Sequence, residues 1–380
     1  IKDTSVDAVG KFSKKVIHHS AGAPAKTNDT GEGYAVGSIW VDSTNGDVYT
    51  CTDSTAEDST WINMEGDDVN VVYHQATNYG YSAGIATPSP SGFGDVVQRY
   101  ALVSSGNATD VGEVHTNKTQ MQLTHDYPYT HGYNASAQTS WPTYVGEITR
   151  FPFSASVGAL DAADVGEMTE AKAQLGIGTD AIANIGYTIG GGNGPGTSDS
   201  DKIQTFTFAS PSTSVDQGEM PTGVMQGTAH DDATYSWYAS GHKNPPEGTQ
   251  DNIWRITKAT WNGVTDVGEV VTTTSGGGQR RTNSLVAGYQ QGGQSPVIDT
   301  IQKFTFASPS TKTDVGNLTE TNYTSGGSSA PDYGYAHGGY NPSPGVTLDV
   351  IQRYSFSVDG NSADVGDLDT AARDLGGVQS

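Results

Sequence analysis

The sequence predicts an all-β fold: a six-bladed β-propeller with four short strands per blade, preceded by a small N-terminal arm and β-module. Three observations predict it. The tripeptide Asp-Val-Gly occurs five times, and with Asp216-Gln217-Gly218 as a sixth copy the spacings stay near fifty residues. A strand-like run precedes each copy at a nearly fixed distance. No stretch inside a repeat carries apolar residues at a helical period over a helix's length. About four short strands per fifty-residue unit is the size of a propeller blade.

Composition narrows the function classes. The 380 residues include 42 acidic and 19 basic side chains, a net charge of −23. Nucleic acids and anionic membranes are therefore not expected partners, because both need clustered Lys and Arg. No apolar run reaches 18 residues, so no membrane span is expected. The chain starts at Ile1 and not at Met, which suggests a processed or trimmed start. A lone cysteine, Cys51, leaves no intramolecular disulfide and no multi-cysteine metal cage. Only 34% of residues are hydrophobic, yet 6 Trp, 19 Tyr and 9 Phe argue against disorder.

Residues 1–34 lack periodicity and read as an extended arm. Residues 35–66 read as a small β-module for attachment to a particle. Ser38 to Asp42 alternates, Asn45-Gly46 is a hairpin signal, Asp47 to Thr52 alternates again, and Trp61 to Met64 supplies a third strand. Trp40, Tyr49 and Trp61 would form its core. About 30 residues bury little surface, so contact with a partner chain or with the propeller is expected.

Residues 67–380 read as the propeller. The repeated aspartates are Asp110, Asp164, Asp216, Asp266, Asp314 and Asp364. One carboxylate per site is too few for calcium, so a structural turn is expected, with Asp bonding nearby backbone and Gly supplying conformational freedom. The preceding strands are Val97 to Leu102, Ile148 to Phe153, Ile203 to Phe208, Ile253 to Lys258, Ile301 to Phe306 and Ile351 to Phe356. In the last, Ile351 faces one side and Tyr354 and Phe356 the other, as in a sheet covered on both faces. Arg99, Arg150, Arg255, Lys303 and Arg353 share one strand position and are expected to contact Asp on a neighbouring strand. The tail, Leu375 to Ser380, should complete the first blade beside the aromatic-Gly strand near Tyr79, with Asn70 to His74 as the competing segment.

No motif here carries chemistry. His18-His19, His125 with His131, and His230-Asp231-Asp232 lack metal-site spacing and are expected to be surface or capping residues. The glycine run from Gly190 precedes no helix and reads as a turn. The sialidase Asp-box and a Gly-x-Ser-x-Gly elbow are absent. No metal, no cofactor and no catalysis are therefore expected. The segments joining the aromatic-Gly strands to the following strands vary most, and should crowd one face of the ring. Phe93, Trp141 and Tyr144 lie in them and are the candidate receptor-binding residues, because exposed rings stack on sugars.

Residues 77–380 resemble the kelch family of β-propellers in repeat length and in the pairs Gly190-Gly191 and Gly338-Gly339. The Ile-Gln-Arg-Tyr…Asp-Val-Gly form looks more like kelch-like repeats of bacteriophage virion proteins, chiefly tail fibres. The stretch Gly37-Ser38-Ile39-Trp40-Val41-Asp42, followed by Val48-Tyr49-Thr50-Cys51-Thr52-Asp53 and Trp61, resembles a short β-module near the N-termini of phage fibres. These resemblances imply a non-enzymatic fibre or adhesin on the virion surface. Its N-terminal region would contact other virion proteins, its propeller would face outward to a host cell-surface glycan or protein, and it would be a homo-oligomer. The alternatives are a purely structural virion component, such as a capsid-decorating fibre, and a secreted glycan-acting enzyme.

Overall fold

The computed structural model describes residues 5–6, 12–13, 15–25, 27–44, 46–56, 59–63, 75–84, 94–127, 129–140, 143–153, 161–192, 199–243, 248–272 and 281–380. The chain divides into two compact units, Ile1–Val71 and Val72–Ser380. The fold is all-β. Among the described residues there is no helix, and so none long and apolar enough to cross a membrane.

The N-terminal unit holds a four-stranded sheet in the order Ile17–Ser20, Ile39–Asp42, Val48–Asp53, Thr60–Asn63. Its first pair is parallel and the others antiparallel. Residues 15–34, read from sequence as part of an extended arm, belong to this unit. Trp40 Nε1 donates to Gly22 O (2.8 Å) and Trp61 Nε1 to Asn28 O (3.0 Å). These indole N–H groups would be costly to bury unbonded, and the arm's carbonyls satisfy them. Trp40 and Trp61 meet at 5.9 Å, as expected. The third ring at their contact is Tyr34, 5.4 Å from Trp61. Tyr49 lies opposite Trp40 in register but is only half-buried. Cys51 is buried, which pushes its thiol pKa up.

The second unit holds six four-stranded antiparallel arrays, here sheets 1 to 6 in order of their aromatic-Gly strands. Sheet 1 runs Gly376–Gln379, Tyr79–Ala83, Gly94–Ala101, Thr109–Lys118. Sheet 2 runs Leu123–His125, His131–Ser140, Thr143–Pro152, Ala163–Glu167. Sheet 3 runs Gly176–Asp180, Ile185–Ile189, Lys202–Thr207, Val215–Glu219. Sheet 4 runs Thr228–Asp231, Tyr235–Ala239, Asn252–Thr257, Thr265–Glu269. Sheet 5 runs Arg281–Asn283, Ala287–Gly293, Ile298–Thr305, Ser308–Asn317. Sheet 6 runs Gly326–Ser329, Tyr333–His337, Val350–Ser355, Ala363–Asp367. A parallel bridge from Glu269 to Thr311 joins sheets 4 and 5 into one eight-stranded sheet. The C-terminal strand completes sheet 1, with Gly376 opposite Ala83 and Gln379 opposite Gly80. Asn70 to His74 lie outside the described residues.

The Asp-x-Gly tripeptide, expected as a turn, is a β-bulge inside each fourth strand. In sheet 6 Ile351 pairs Gly366 and Gln352 pairs Asp364, so Val365 is the extra residue; the same slip occurs in all six sheets. In five of them the Asp carboxylate accepts the Gly N–H at 3.1–3.3 Å. In sheet 3, Asp216 instead pairs with Lys202 (3.2 Å). The local Asp–Gly bond is turn chemistry used to fix a bulge, which bends a strand and increases its twist. The glycine has a second cause. A Cβ on Gly268 would sit 2.0 Å from Ser310 O of the next sheet, and one on Gly366 2.2 Å from Gly106 O. Backbone carbonyls cannot yield that far, so only glycine lets neighbouring sheets close.

The Ile-Gln strand supplies further links. Gln98 Oε1 accepts Thr370 N (2.9 Å) and Gln352 Oε1 accepts Thr319 N, each reaching into the preceding sheet. Gln204 and Gln302 make the matching contacts to Thr169 and Thr272. The aromatic-Gly tyrosines reach the opposite way, into the following sheet: Tyr81 OH donates to Phe153 O (3.2 Å), Tyr133 OH to Phe208 O, and Tyr335 OH to Leu102 O. The last of these, with Ala108 N to Asp367 O (2.7 Å), links sheet 6 back to sheet 1. The shared bases do not chiefly seek Asp. Arg99, Arg255 and Arg353 stack over Tyr79, Tyr235 and Tyr333 of the adjacent strand at 4.4–4.7 Å, and Lys303 lies over Tyr289 while pairing with Asp359. A guanidinium over a phenol ring gains cation–π attraction without desolvating a carboxylate.

Candidate functional site

Antiparallel order fixes which loops share an end. The connection from each fourth strand to the next sheet's first strand lies at the same end as the hairpin between second and third strands. Four bridges tie these together: Thr119 to Gln138, Ala173 to Gly192, Met225 to His242, and Tyr323 to Tyr340. The six variable hairpins therefore lie at matching ends of their sheets. Those of sheets 4 and 6 carry extra two-stranded ribbons, His242–Lys243 with Gly248–Thr249 and Tyr340–Asn341 with Val346–Thr347.

Of the candidate receptor-binding residues, Phe93 and Trp141 lie outside the described residues. Tyr144 opens the third strand of sheet 2 opposite Gln138; it is half-buried, which raises its phenol pKa.

The structure brings together a set that the sequence reading missed. Gln120, Gln174, Gln226, Thr324 and Asp374 each precede a first strand, and each holds a positive φ of 52–61°. Such a conformation is unusual for residues other than Gly. It is held by hydrogen bonds passing between sheets: Gln120 N to Asp374 O (2.8 Å), Asp374 N to Thr324 O (3.0 Å), and Gln226 N to Gln174 O (2.7 Å). Each residue lies eight positions after its Asp-x-Gly glycine, an offset that could have exposed the set.

Gln120 Oε1, both amide atoms of Gln122, Ser325 Oγ and His242 Nδ1 are buried without a hydrogen-bond partner. Gln122 is 1% exposed. Beside them Arg373 stacks over Tyr340 (4.8 Å), which meets Tyr323 edge-on (5.4 Å). Arg373 Nε is 3.8 Å from Asp374 Oδ2. The Asp374 side chain keeps 26% of its surface, yet desolvation pushes its pKa up to about 6 against the pull of Arg373 and Thr324. Because its folded value exceeds the unfolded 3.8, the unfolded chain ionises first. This group's contribution to stability therefore falls as pH rises from about 4 to about 6, and stays at its lower level above that.

The far ends of the first strands are filled differently. His125, Thr179, Asp231, Asn283, Ser329 and Gln379 occupy equivalent positions and are all buried. Thr179 Oγ1 donates to His125 O (2.6 Å), Ser329 N to Gln379 Oε1 (3.2 Å), and Gln379 Nε2 bonds His125 Nε2 (3.3 Å). With its amide oriented to satisfy both ends, Asn283 accepts from Asp231 N (3.1 Å) and donates to His230 Nδ1 (2.8 Å). His125 and His230, expected at the surface or in caps, are thus interior members of this network, since an imidazole has two ring nitrogens that can each hydrogen-bond buried groups. His131 bonds Asp126, and His18 packs on Trp40. Among the described residues no group of three or more His, Cys, Asp or Glu side chains could hold a metal.

No protein-family model matches the chain, and no curated protein matches it.

Proposed function

We propose that residues 75–380 form a six-bladed, kelch-like β-propeller serving a bacteriophage virion as a non-enzymatic host-surface recognition domain. The reading is supported by six four-stranded sheets with repeated sheet-to-sheet contacts, the last of which returns to the first. The observation that carries it is the contrast between ends. Bulge, glycine and glutamine contacts repeat through the frame, while the hairpins at one end vary in length and sequence, and those of sheets 4 and 6 carry added ribbons. A constant frame with variable loops is how binding surfaces are built.

In this reading the N-terminal unit attaches the chain to the particle and to other copies of itself. Its two edge strands carry exposed apolar side chains, Ile17 (69% exposed) and Ile62 (53%), which suits pairing with another chain. The phage assignment rests on the resemblance of the repeats and of the β-module.

The test is a binding screen of the full chain against bacterial surface polysaccharides, with the length of each polysaccharide followed in time. Retention without shortening is expected. Shortening would establish the glycan-acting enzyme instead, and no retention on any polysaccharide or host cell would leave a structural virion component.

A further inference from the structure

We propose that Gln75 and Ala76 form a strap across the far ends of the first strands. It ties sheets 2, 5 and 6 together and keeps shut the joint between Tyr79–Ala83 and Gly376–Gln379 in sheet 1. The inference rests on the closed ring proposed above.

The far ends of the first strands are joined into a belt. The contacts already given link sheets 1 and 2, 2 and 3, 4 and 5, and 6 and 1. Lys258 Nζ of sheet 4 donates to Thr179 O of sheet 3 (3.4 Å), and Asn283 N of sheet 5 donates to Ser329 Oγ of sheet 6 (2.9 Å). Gln75 and Ala76 lie on this belt. Gln75 Nε2 donates to Asn283 O of sheet 5 (3.2 Å) and to Pro331 O, between the first and second strands of sheet 6 (3.4 Å). Ala76 N donates to Ser329 O of sheet 6 (3.0 Å). The Gln75 backbone is hydrogen-bonded to the phenol of Tyr129, which belongs to the hairpin between the first and second strands of sheet 2. In a ring of six, sheet 2 stands opposite sheet 5, so these two residues reach across its middle.

Tyr129 is set for this contact. Its φ of 67° is uncommon for a residue other than Gly. Asp126 holds the turn: Tyr129 N donates to Asp126 O (3.0 Å) and Thr130 N to Asp126 Oδ1 (2.7 Å). The Tyr129 ring lies 4.6 Å from His125. It packs against the core between sheets 1 and 2 and against the core between sheets 6 and 1, and the second of these includes Ala76. Connecting segments normally run over the surface. Gln75 and Ala76 are instead 4% and 5% exposed, and their polar groups reach sheets other than the one they lead into.

The strap acts on the joint through the chain itself. Asn78 N and Tyr79 N both donate to Ser380 O (3.0 Å each), at the start of the pairing between Tyr79–Ala83 and the C-terminal strand. Paired strands open first at their ends. Anchoring residues 75 and 76 restrains Asn78 and Tyr79, so opening the joint also requires release of contacts to sheets 2, 5 and 6.

The test is hydrogen–deuterium exchange, read by mass spectrometry, on the full chain and its variants Gln75→Ala and Tyr129→Phe. The second variant keeps the packed ring and removes only the hydroxyl. Each variant should speed exchange about tenfold in Tyr79–Ala83 and Gly376–Gln379, and also in Arg281–Asn283 and Gly326–Ser329. Gly176–Asp180 and Thr228–Asp231, which the strap does not touch, should exchange as in the parent. Faster exchange confined to residues 75–78, or spread equally over all six sheets, overturns the proposal. If the joint is protected in the unaltered chain and both variants exchange like it, the strap falls and the ring stands. If the joint is unprotected in the unaltered chain, the ring falls and the strap with it.

Discussion

Removing residues 371–380 is expected to abolish cooperative unfolding of the second unit and to drive the protein into aggregates. The segment carries the first strand of sheet 1, Gly376–Gln379, paired along Tyr79–Ala83. Its loss exposes the Tyr79–Ala83 edge, a row of unpaired backbone groups in a Tyr- and Ala-containing strand. Leu375 and Val378, both at most 1% exposed, leave two cores at once. Gln379 takes with it its bonds to His125 and Ser329, and Asp374 its backbone bonds to Gln120 and Thr324. Two buried aliphatic side chains alone are worth about 3–6 kcal/mol, comparable with the whole stability of many domains. Calorimetry and light scattering check this. A soluble variant with an unchanged midpoint would mean the strand is dispensable.

The second large effect is expected at the contact between sheets 3 and 4, where the repeat breaks its own rules. At the position where other sheets place Phe153, Phe208, Phe306 or Phe356, sheet 4 has Lys258. At the glutamine position it has Trp254. Lys258 Nζ pairs with Asp231 Oδ1 (3.3 Å) and donates to Asp232 O (2.9 Å), and Tyr187 OH donates to the same Asp231 carboxylate. Both charged side chains are nearly sealed from solvent, at 5% and 0% exposed. Lys258→Ala leaves a buried carboxylate without its cation, which costs about 3–5 kcal/mol. The double variant Lys258→Phe, Asp231→Asn restores residue types found elsewhere in the repeat and should recover most of that loss, because well-packed apolar groups often replace a buried ion pair without penalty. Urea unfolding of both variants reports the outcome. A Lys258→Ala chain within about 1 kcal/mol of the parent would show that the pair contributes little.

Much of the frame was legible because its signals are periodic. The Asp-x-Gly glycines and the Ile-Gln strands recur at one spacing, and six copies of a weak signal make a strong one. The C-terminal strand was legible by the same alignment. What the tripeptide does was not: Asp followed two residues on by Gly has the same chemistry in a turn and in a bulge, and only the register of Ile351 against Gly366 separates them. Nor was the role of Arg99 or Arg353, since sequence shows a base but not whether a ring or a carboxylate lies beside it. In the N-terminal unit, Tyr34 was missed because a segment without periodicity can still wrap a core through its carbonyls. The positive-φ set before the first strands was hidden by its variety. Gln120, Gln174, Gln226, Thr324 and Asp374 share a conformation and an offset, not a residue type.

The central claim, a virion protein that faces its host with the hairpin end, is tested most directly by electron microscopy of intact particles bearing the chain, with Fab fragments raised separately against the hairpin end and against the N-terminal unit. The expected result is a six-part disc at the outer end of a fibre, labelled on its outward face by the first Fab, with the N-terminal unit at the particle. A chain absent from purified particles, or a disc whose hairpin end is buried against the particle and unlabelled, would contradict it.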